Sequence, residues 1–386
     1  MKSITIKDVR LHPVALPLVE PLRTSFGVDE YKTAVLLEVI TEQGISGWGE
    51  ASVNLAPGYG PETMVTGLHV LQQFAIPLIT NKEIKDPSIV PVLLRSIRGH
   101  KHTVAGLEAA IWDACAKVND MRLADYFATF LPEGNQPRTG AVVGVSIGIQ
   151  PSVKETLQII EKRLAQGYKR IKLKIKRGWD IELAQGVREA LPAIMLMLDA
   201  NSDYTLQDSE HLKQLDQFDL LMIEQPLAHD DIYQHSKLQQ QLDTPICLDE
   251  SIHSVSDLQV ATELGALNIL NLKPARVGGF THSLQMYKHC VEHEIGLWIG
   301  GMLETGVGRA TNVAFAALPG INLPSDISAT DRYFDPDITE PKFELSNGSQ
   351  LAIPDGYGIG VEVDLNRVAN YEAIWEDINP FRASHD

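Results

Sequence analysis

Lys174, Asp199, Glu224, Asp249 and Lys273 recur at intervals of 25, 25, 25 and 24 residues, and each closes a short apolar run: IKLK, IMLMLD, LLMIE, PICLD and LNILNLK. Parallel strands need a crossover, and a strand, a helix and two loops occupy roughly 25–30 residues. If the strands close into a barrel, a charge at that period lies on one rim, where barrel enzymes carry their chemistry. Asp199, Glu224 and Asp249 offer only hard oxygen donors, which suit Mg²⁺ or Mn²⁺ and fit Zn²⁺ poorly without His or Cys. One such carboxylate is commonly a helix N-cap after a strand-to-helix turn. Three in register on successive strands read as a metal site.

The lysines supply the other half of the chemistry. In RIKLKIK, Lys172, Lys174 and Lys176 alternate with Ile171, Leu173 and Ile175. On an edge strand such lysines guard against aggregation. In a barrel the apolar face meets the helices, so all three lysines are expected to point inward. Close to a divalent cation and to one another they are expected to have lowered pKa values, and a neutral lysine can remove a proton. Lys273, with Asn271 two residues before it on the same face, falls about four strands from Lys174 in an eight-stranded barrel. The pair then addresses both faces of one trigonal carbon. Barrel lysines also form imines, as in a Schiff-base aldolase, but three neighbouring carboxylates argue against that use. WIGGMLETGVGRA ends a strand and opens a helix, and its glycines read either as an anion site made by free N–H groups or, at least as readily, as a place of close backbone packing. Ser146, in GVSIGI, ends the first barrel strand and reads either as a substrate contact or as a core serine. His100 and His102 share no ligand spacing with other His or Cys and read as loop residues.

The elements that must hold these groups follow from periodicity. Residues 1–60 alternate with period two, as in ITIKDVRLHPVAL and AVLLEVITEQGISGWGEA, and predict an antiparallel meander. Helical spacing follows over 62–80 and 103–118. From Val142 the pattern becomes repeating strand and helix, with strands expected at 142–148, 170–175, 194–199, 219–224, 245–249, 268–273 and 296–300 and an eighth within 321–328. The expected fold class is α/β: a (β/α)₇β TIM-like barrel with an α+β capping domain. The expected divisions are the capping domain over 1–128, the catalytic barrel over 129–328 and a segment, 329–386, that returns to the cap.

Bulk composition bounds the function. A chain of 386 residues with 44% hydrophobic residues can bury a large core, and its net charge of −17 argues against nucleic acid or an anionic membrane as partner. Cys115, Cys247 and Cys290 are too few and too widely spaced for a disulfide framework or thiolate metal site. The amino terminus lacks the apolar core of a signal peptide, and no apolar run nears the roughly 20 residues that span a bilayer. A cytoplasmic protein acting on a small molecule is expected.

At KLK on the second strand, DAN at Asp199, IEQP at Glu224, LDES at Asp249 and NLKP at Lys273, the chain resembles the enolase superfamily, muconate-lactonizing-enzyme subgroup. The resemblance runs from PLRTSFG and GWGEA to GGMLETG. KPARVGG, GGMLETGVGRA and SATDR make it most similar to the o-succinylbenzoate synthase/N-acylamino acid racemase family. That resemblance implies Mg²⁺, with Mn²⁺ able to substitute, held by Asp199, Glu224 and Asp249. It implies Lys174 and Lys273 as the acid/base pair, and Lys172 with the metal stabilising an enediolate formed when the proton α to a carboxylate leaves. The implied substrate is a small carboxylate and the implied assembly a homo-oligomer. The implied activity is o-succinylbenzoate synthesis by dehydration, in the menaquinone pathway. Racemisation of N-succinylamino or other N-acylamino acids is the alternative, with dipeptide epimerisation and muconate cycloisomerisation further behind. Expected substrate contacts are Phe26, Tyr59, Ser146, Asn201, Asn271 and the segment Gly301, Met302, Leu303 with its neighbouring carboxylate Glu304. The stretch ASVNLAPGYGPETM departs from the family pattern at the place where substrate specificity is expected to reside.

Overall fold

The structure, a computed structural model, describes residues 1–24, 27–346 and 348–379. The amino-terminal alternation forms β1 (Ile4–Thr24), β2 (Gly27–Thr41) and β3 (Ser46–Ala51), joined by β4 (Glu83–Ile84) in the antiparallel order β3-β2-β1-β4. Val14 pairs with Ala34, and Leu37 with Gly49. Successive strand residues face opposite sides, yet Ala34 through Leu37 are all fully buried, so both faces of β2 are covered. Helix α1 (Lys101–Val118) covers one of them. Glycines permit its close approach: a Cβ on Gly49 would stand 2.2 Å from the Gly106 carbonyl oxygen, and one on Gly106 2.4 Å from the Ala51 nitrogen. The carboxyl-terminal helix Leu365–Ile378 packs on β1, where the His12 ring meets the Glu372 carboxylate at 2.9 Å.

After β5 (Gly140–Val142), seven parallel strands follow in unbroken order: β6 (Val145–Ile147), β7 (Arg170–Lys174), β8 (Met195–Asp199), β9 (Ile223–Glu224), β10 (Ile246–Leu248), β11 (Ile269–Leu272) and β12 (Gly296–Ile299). The predicted strand 142–148 is thus divided. Its first residue, Val142, closes β5, which pairs antiparallel with Gln350–Ala352. The eighth position is filled by backbone that forms no regular strand. Asn322 N and Leu323 N donate to the Leu297 carbonyl at 3.1 and 3.2 Å, and Asp326 N to that of Ile299 at 2.8 Å. On the other side Ser325 N donates to Val142 at 2.9 Å and Gly144 N to Ser325 at 2.7 Å. Pro324 has no N–H to give, which breaks the ladder locally without opening the ring. The molecule is a (β/α)₇β barrel with a cap of antiparallel strands and helices. Met197, Met222, Cys247, Ile269 and Trp298 form an apolar plug inside it. Cys115, Cys247 and Cys290 are all free and buried, and no helix among the described residues is long and apolar enough to cross a membrane.

Cap and barrel meet through buried glutamates at helix amino ends, where unpaired N–H groups and the helix dipole favour a negative charge. Glu108 of α1 accepts from the amides of Phe280 and Thr281, which open α2 (Phe280–Glu292). Glu50 of β3 accepts from Thr305 N at 2.9 Å and Gly308 N at 3.2 Å, around the start of α3 (Gly306–Ala316). Asp337 takes the Gly306 amide at 2.9 Å. Of the two readings of WIGGMLETGVGRA, close packing is the one observed: the helix opening is filled by the chain's own carboxylates, and a Cβ on Gly308 would lie 2.8 Å from Glu304. Because α1 leaves no room above β3, Gly49→Val is expected to lower the thermal midpoint, at a cost of about 1–3 kcal/mol or more. A variant that melts with the wild type would show that this contact is not tight.

Candidate active site

Asp199 and Glu224 end β8 and β9 in direct register, and Asp249 follows β10 by one residue. All three are buried. Lys174 ends β7 opposite Asp199, and Lys273 follows β11, four strands away in the sheet order. The five residues of the 25-residue period thus share the carboxyl-terminal rim. Lys172 points into the barrel as expected, but Lys176 does not: it is exposed in a turn closed by Trp179, whose amide donates to the Lys176 carbonyl at 2.8 Å. The strand ends at Lys174, so alternation no longer governs the next residue. The third inward cation of this strand is Arg170, fully buried where Gly144 leaves space for it.

Each rim carboxylate is held by a cation. Lys174 Nζ donates to Asp199 at 2.6 Å and to Asn201 Oδ1 at 2.7 Å. Lys172 Nζ lies 3.3 Å from Asp199, 3.1 Å from Glu224 and 2.9 Å from Asp326, and 5.1 Å from the Trp298 ring centroid beneath it. Lys273 Nζ donates to Asp249 at 2.9 Å and to the Tyr59 hydroxyl at 3.0 Å, and Tyr59 in turn donates to Asp249 at 2.8 Å. Arg276 donates to Asp249 Oδ1, the oxygen that Tyr59 also reaches, while Lys273 holds Oδ2. Asn271 Nδ2 donates to Glu224 at 2.6 Å, Asn201 Nδ2 to Glu250 at 3.1 Å, and Ser146 Oγ to Asp326 at 2.6 Å.

These contacts decide the protonation states. Burial raises the Asp199 and Asp249 pKa values, but Lys174 with Lys172, and Lys273 with Arg276, outweigh it and hold both below the ordinary range. Glu224 goes the other way, up to about 8, through burial and the negative charge of Asp199. Burial and Asp249 likewise push Glu250 up to about 7. Burial alone would lower Lys172 and Lys273. Asp326, Glu224 and Asp199 around the first, and Asp249 beside the second, raise them instead. The lowered pKa expected from sequence is therefore not found for Lys172 in this arrangement, because here its ammonium carries compensating charge for the carboxylates.

As placed, no three His, Cys, Asp or Glu side chains among the described residues converge closely enough to hold a cation. The lysine ammonium groups stand between the carboxylates. The donor set nevertheless fits a hard divalent ion: three buried carboxylates end or follow successive strands, and Glu224 and Glu250 have too little positive charge nearby to stay ionised easily. Binding one requires these side chains to turn from the lysines toward a common point.

The substrate contacts expected from sequence are distributed unevenly. Tyr59, Ser146, Asn201 and Asn271 all touch the charged rim. Gly301 packs against the Asp326 carbonyl, 2.5 Å from where a Cβ would lie. The Met302 carbonyl accepts from Lys32, and Leu303 has φ of 57°. The carboxylate of this segment, Glu304, accepts from Met302 N at 2.9 Å and Asn312 Nδ2 at 2.9 Å. Phe26 lies outside the described residues. Sequence reasoning missed Arg276, Asp326, Glu250, Arg170 and Lys32. Extending the period past Lys273 reaches Gly300 and then Asp326, a signal available in the sequence. Arg276 lay in KPARVGG, one turn beyond Lys273.

His102 is the second residue of α1 and not a loop residue, whereas His100 lies just before the helix, as its N-cap with left-handed backbone. His102 is buried with Nδ1 3.1 Å from the Ser52 carbonyl. Burial, then the charges of Arg276, Lys32 and Lys273, lower its pKa from 6.5 to about 3.

Residues 6–127 match the mandelate racemase/muconate lactonizing enzyme N-terminal domain, and residues 155–368 the enolase C-terminal domain-like family. The chain belongs to the enolase superfamily, a superfamily of enzymes. It is 43% identical over 369 residues to an o-succinylbenzoate synthase of Geobacillus kaustophilus, covering 96% of each chain. It is 42% identical over 360 residues to an N-succinylamino acid racemase of Thermus thermophilus, covering 93% of this chain and 95% of that one. The crystal structure of an enolase-superfamily member from Listeria innocua matches with a TM-score of 0.90 at 41% identity, over 95% of this chain and 97% of that one.

The unfolded chain protonates His102 near its ordinary pKa, whereas the folded chain does so only near 3. Stability is therefore present above about pH 6.5 and is lost as pH falls through that window, by about 1.4 kcal/mol per pH unit. His102→Gln is expected to lose a smaller part of its thermal midpoint between about pH 7 and pH 5. An unchanged pH dependence would mean that His102 is not held neutral.

Proposed function

We propose that this chain removes the proton α to a substrate carboxylate, giving an enediolate, and completes the synthesis of o-succinylbenzoate by dehydration. The observation that carries the proposal is the placement of Lys174 and Lys273 on opposed strands, with three hard-oxygen carboxylates on the strands between. The name carried by relatives such as the Geobacillus kaustophilus synthase selects the reaction. Asp199, Glu224 and Asp249 would hold Mg²⁺, or Mn²⁺ in its place. The ion supplies Lewis-acid stabilisation of the carboxylate charge that grows as the proton leaves, worth several kcal/mol.

The chain's own residues do the rest. Lys174 takes the α proton and returns it to the departing hydroxyl, which leaves as water. Lys273 stays an ammonium, a state favoured by the Tyr59 ring, whose centroid lies 4.1 Å from Nζ. Lys172, tied to Asp326 as well as to the metal-binding carboxylates, remains a fixed positive charge beside the enediolate. We assign residues 1–128 to the cap, 129–328 to the catalytic barrel and 329–386 to a segment returning to the cap, and place the enzyme in the cytoplasm.

A second reading has its own support, since relatives of equal identity are named N-succinylamino acid racemases. There Lys174 and Lys273 would alternate as base and acid across the plane of one intermediate. The two outcomes share every rim residue. Comparing kcat/KM for the o-succinylbenzoate precursor and for N-succinylamino acids, with racemisation followed in D₂O, decides between them.

Chelation is expected to abolish either activity, and Mg²⁺ or Mn²⁺ to restore it; full activity in chelator would reject the metal assignment. Lys273→Ala is expected to lower racemisation by about 10²–10⁴-fold, the usual worth of a positioned acid or base. Racemisation at the wild-type rate would remove Lys273 from the mechanism.

A further inference from the structure

Lys32 lies on β2 of the cap, only 3% exposed, and its ammonium reaches the barrel. Nζ donates to the Met302 carbonyl at 2.8 Å and stands 3.9 Å from Glu50 Oε1. Glu50 itself holds the next link in the chain, accepting from Thr305 N at 2.9 Å and Thr305 Oγ1 at 2.7 Å. The cap therefore grips the loop between β12 and α3 at two backbone points, one on each side of Leu303 and Glu304. Leu303 sits at φ of 57°, a left-handed conformation that a bulky residue rarely adopts unless its surroundings impose it. Glu304 closes the loop on itself through the Met302 amide.

The loop borders the proposed site. Met302 and Tyr59 line one small cavity with Asn54 and His102, and Tyr59 is hydrogen-bonded to both Asp249 and Lys273. Without the Lys32 ammonium, the Met302 carbonyl loses its donor and the buried Glu50 loses its neighbouring positive charge. The first change frees the Met302 side of the loop, which faces Tyr59, and the second weakens the hold at Thr305.

We propose that Lys32 is a positioning residue through which the cap holds the Met302–Glu304 loop at the barrel mouth, so that it governs affinity for the carboxylate substrate and not the chemical step. This rests on the α-proton-abstraction reading of the same site. Lys32→Met keeps the length of the side chain and removes both donor and charge. Amide exchange of a peptide covering residues 301–308 is expected to quicken by about ten-fold in the substrate-free variant. KM is expected to rise about five-fold with kcat changed less than about two-fold, while Lys32→Arg restores both. Lys32→Gln, which keeps a donor for Met302 without the charge, should fall between them and serves if the methionine variant does not fold. A folded methionine or glutamine variant whose 301–308 exchange matches the wild type would overturn the clamp. So would a loss confined to kcat. If the wild type turns over neither the o-succinylbenzoate precursor nor N-succinylamino acids, the functional reading fails and with it the claim on affinity. The exchange comparison then still decides whether Lys32 holds the loop.

Discussion

Negative charge buried at the mouth of an otherwise apolar barrel is the constraint on which the rest of this structure depends. An ionised carboxylate out of water costs several kcal/mol unless it is paired and hydrogen-bonded. Asp199, Glu224, Asp249 and Glu250 are buried at the rim with the partly buried Asp326 beside them, and Arg170, Lys172, Lys174, Lys273 and Arg276 are set against them. This explains β7, a strand that alternates cations with Ile171 and Leu173 inside a protein core. It also explains two glycines. A Cβ on Gly144 would lie 2.2 Å from the Arg170 guanidinium, and one on Gly300 would lie 2.1 Å from Asn271 Oδ1 and 2.7 Å from Lys273 Cε.

The cap solves a second electrostatic problem with the same residue type. Helices α2 and α3 present unpaired amides where the barrel meets the cap, and Glu108 and Glu50 fill them. A carboxylate in such a position is stabilised by charge-assisted hydrogen bonds and by the helix dipole. The cap is thereby attached to the outer helices of the barrel, while Tyr59 reaches across to the inner rim. Attachment and reach involve different side chains, so the loop carrying Tyr59 can vary in sequence without loosening the dock.

Most of the rim was legible because parallel strands enforce a long period, and a charged residue ending each strand marks that period directly. Legibility failed where the period carried no charge or where partners came from elsewhere in the chain. Gly300 is silent at the seventh position, and Pro324 disrupts the eighth, so Asp326 went unread although it binds Lys172. Lys176 was misplaced because alternation does not show where a strand stops. The direction of the lysine shifts depends on which carboxylates touch each ammonium, and Lys172 gathers three from two strands and the irregular eighth position. GWGEA and GGMLETGVGRA were each visible as motifs. Their shared purpose was not, since Glu50 and Thr305 are far apart in sequence and meet only in the folded cap–barrel contact.

Dehydration and racemisation part company only after the α proton has gone, so a rim built for that first step treats them alike. Discrimination has to come from groups that meet the remainder of the substrate, and Tyr59 carries the cap into that space. Its hydroxyl donates to Asp249 and accepts from Lys273 and Arg276. In the proposed assignment, the wall that would meet the substrate and the ammonium that would face the reacting carbon therefore belong to one hydrogen-bonded unit. A change in the cap loop that shifts Tyr59 also alters what surrounds Lys273. Under the proposed roles, substrate choice and the balance between Lys174 and Lys273 are thus physically coupled.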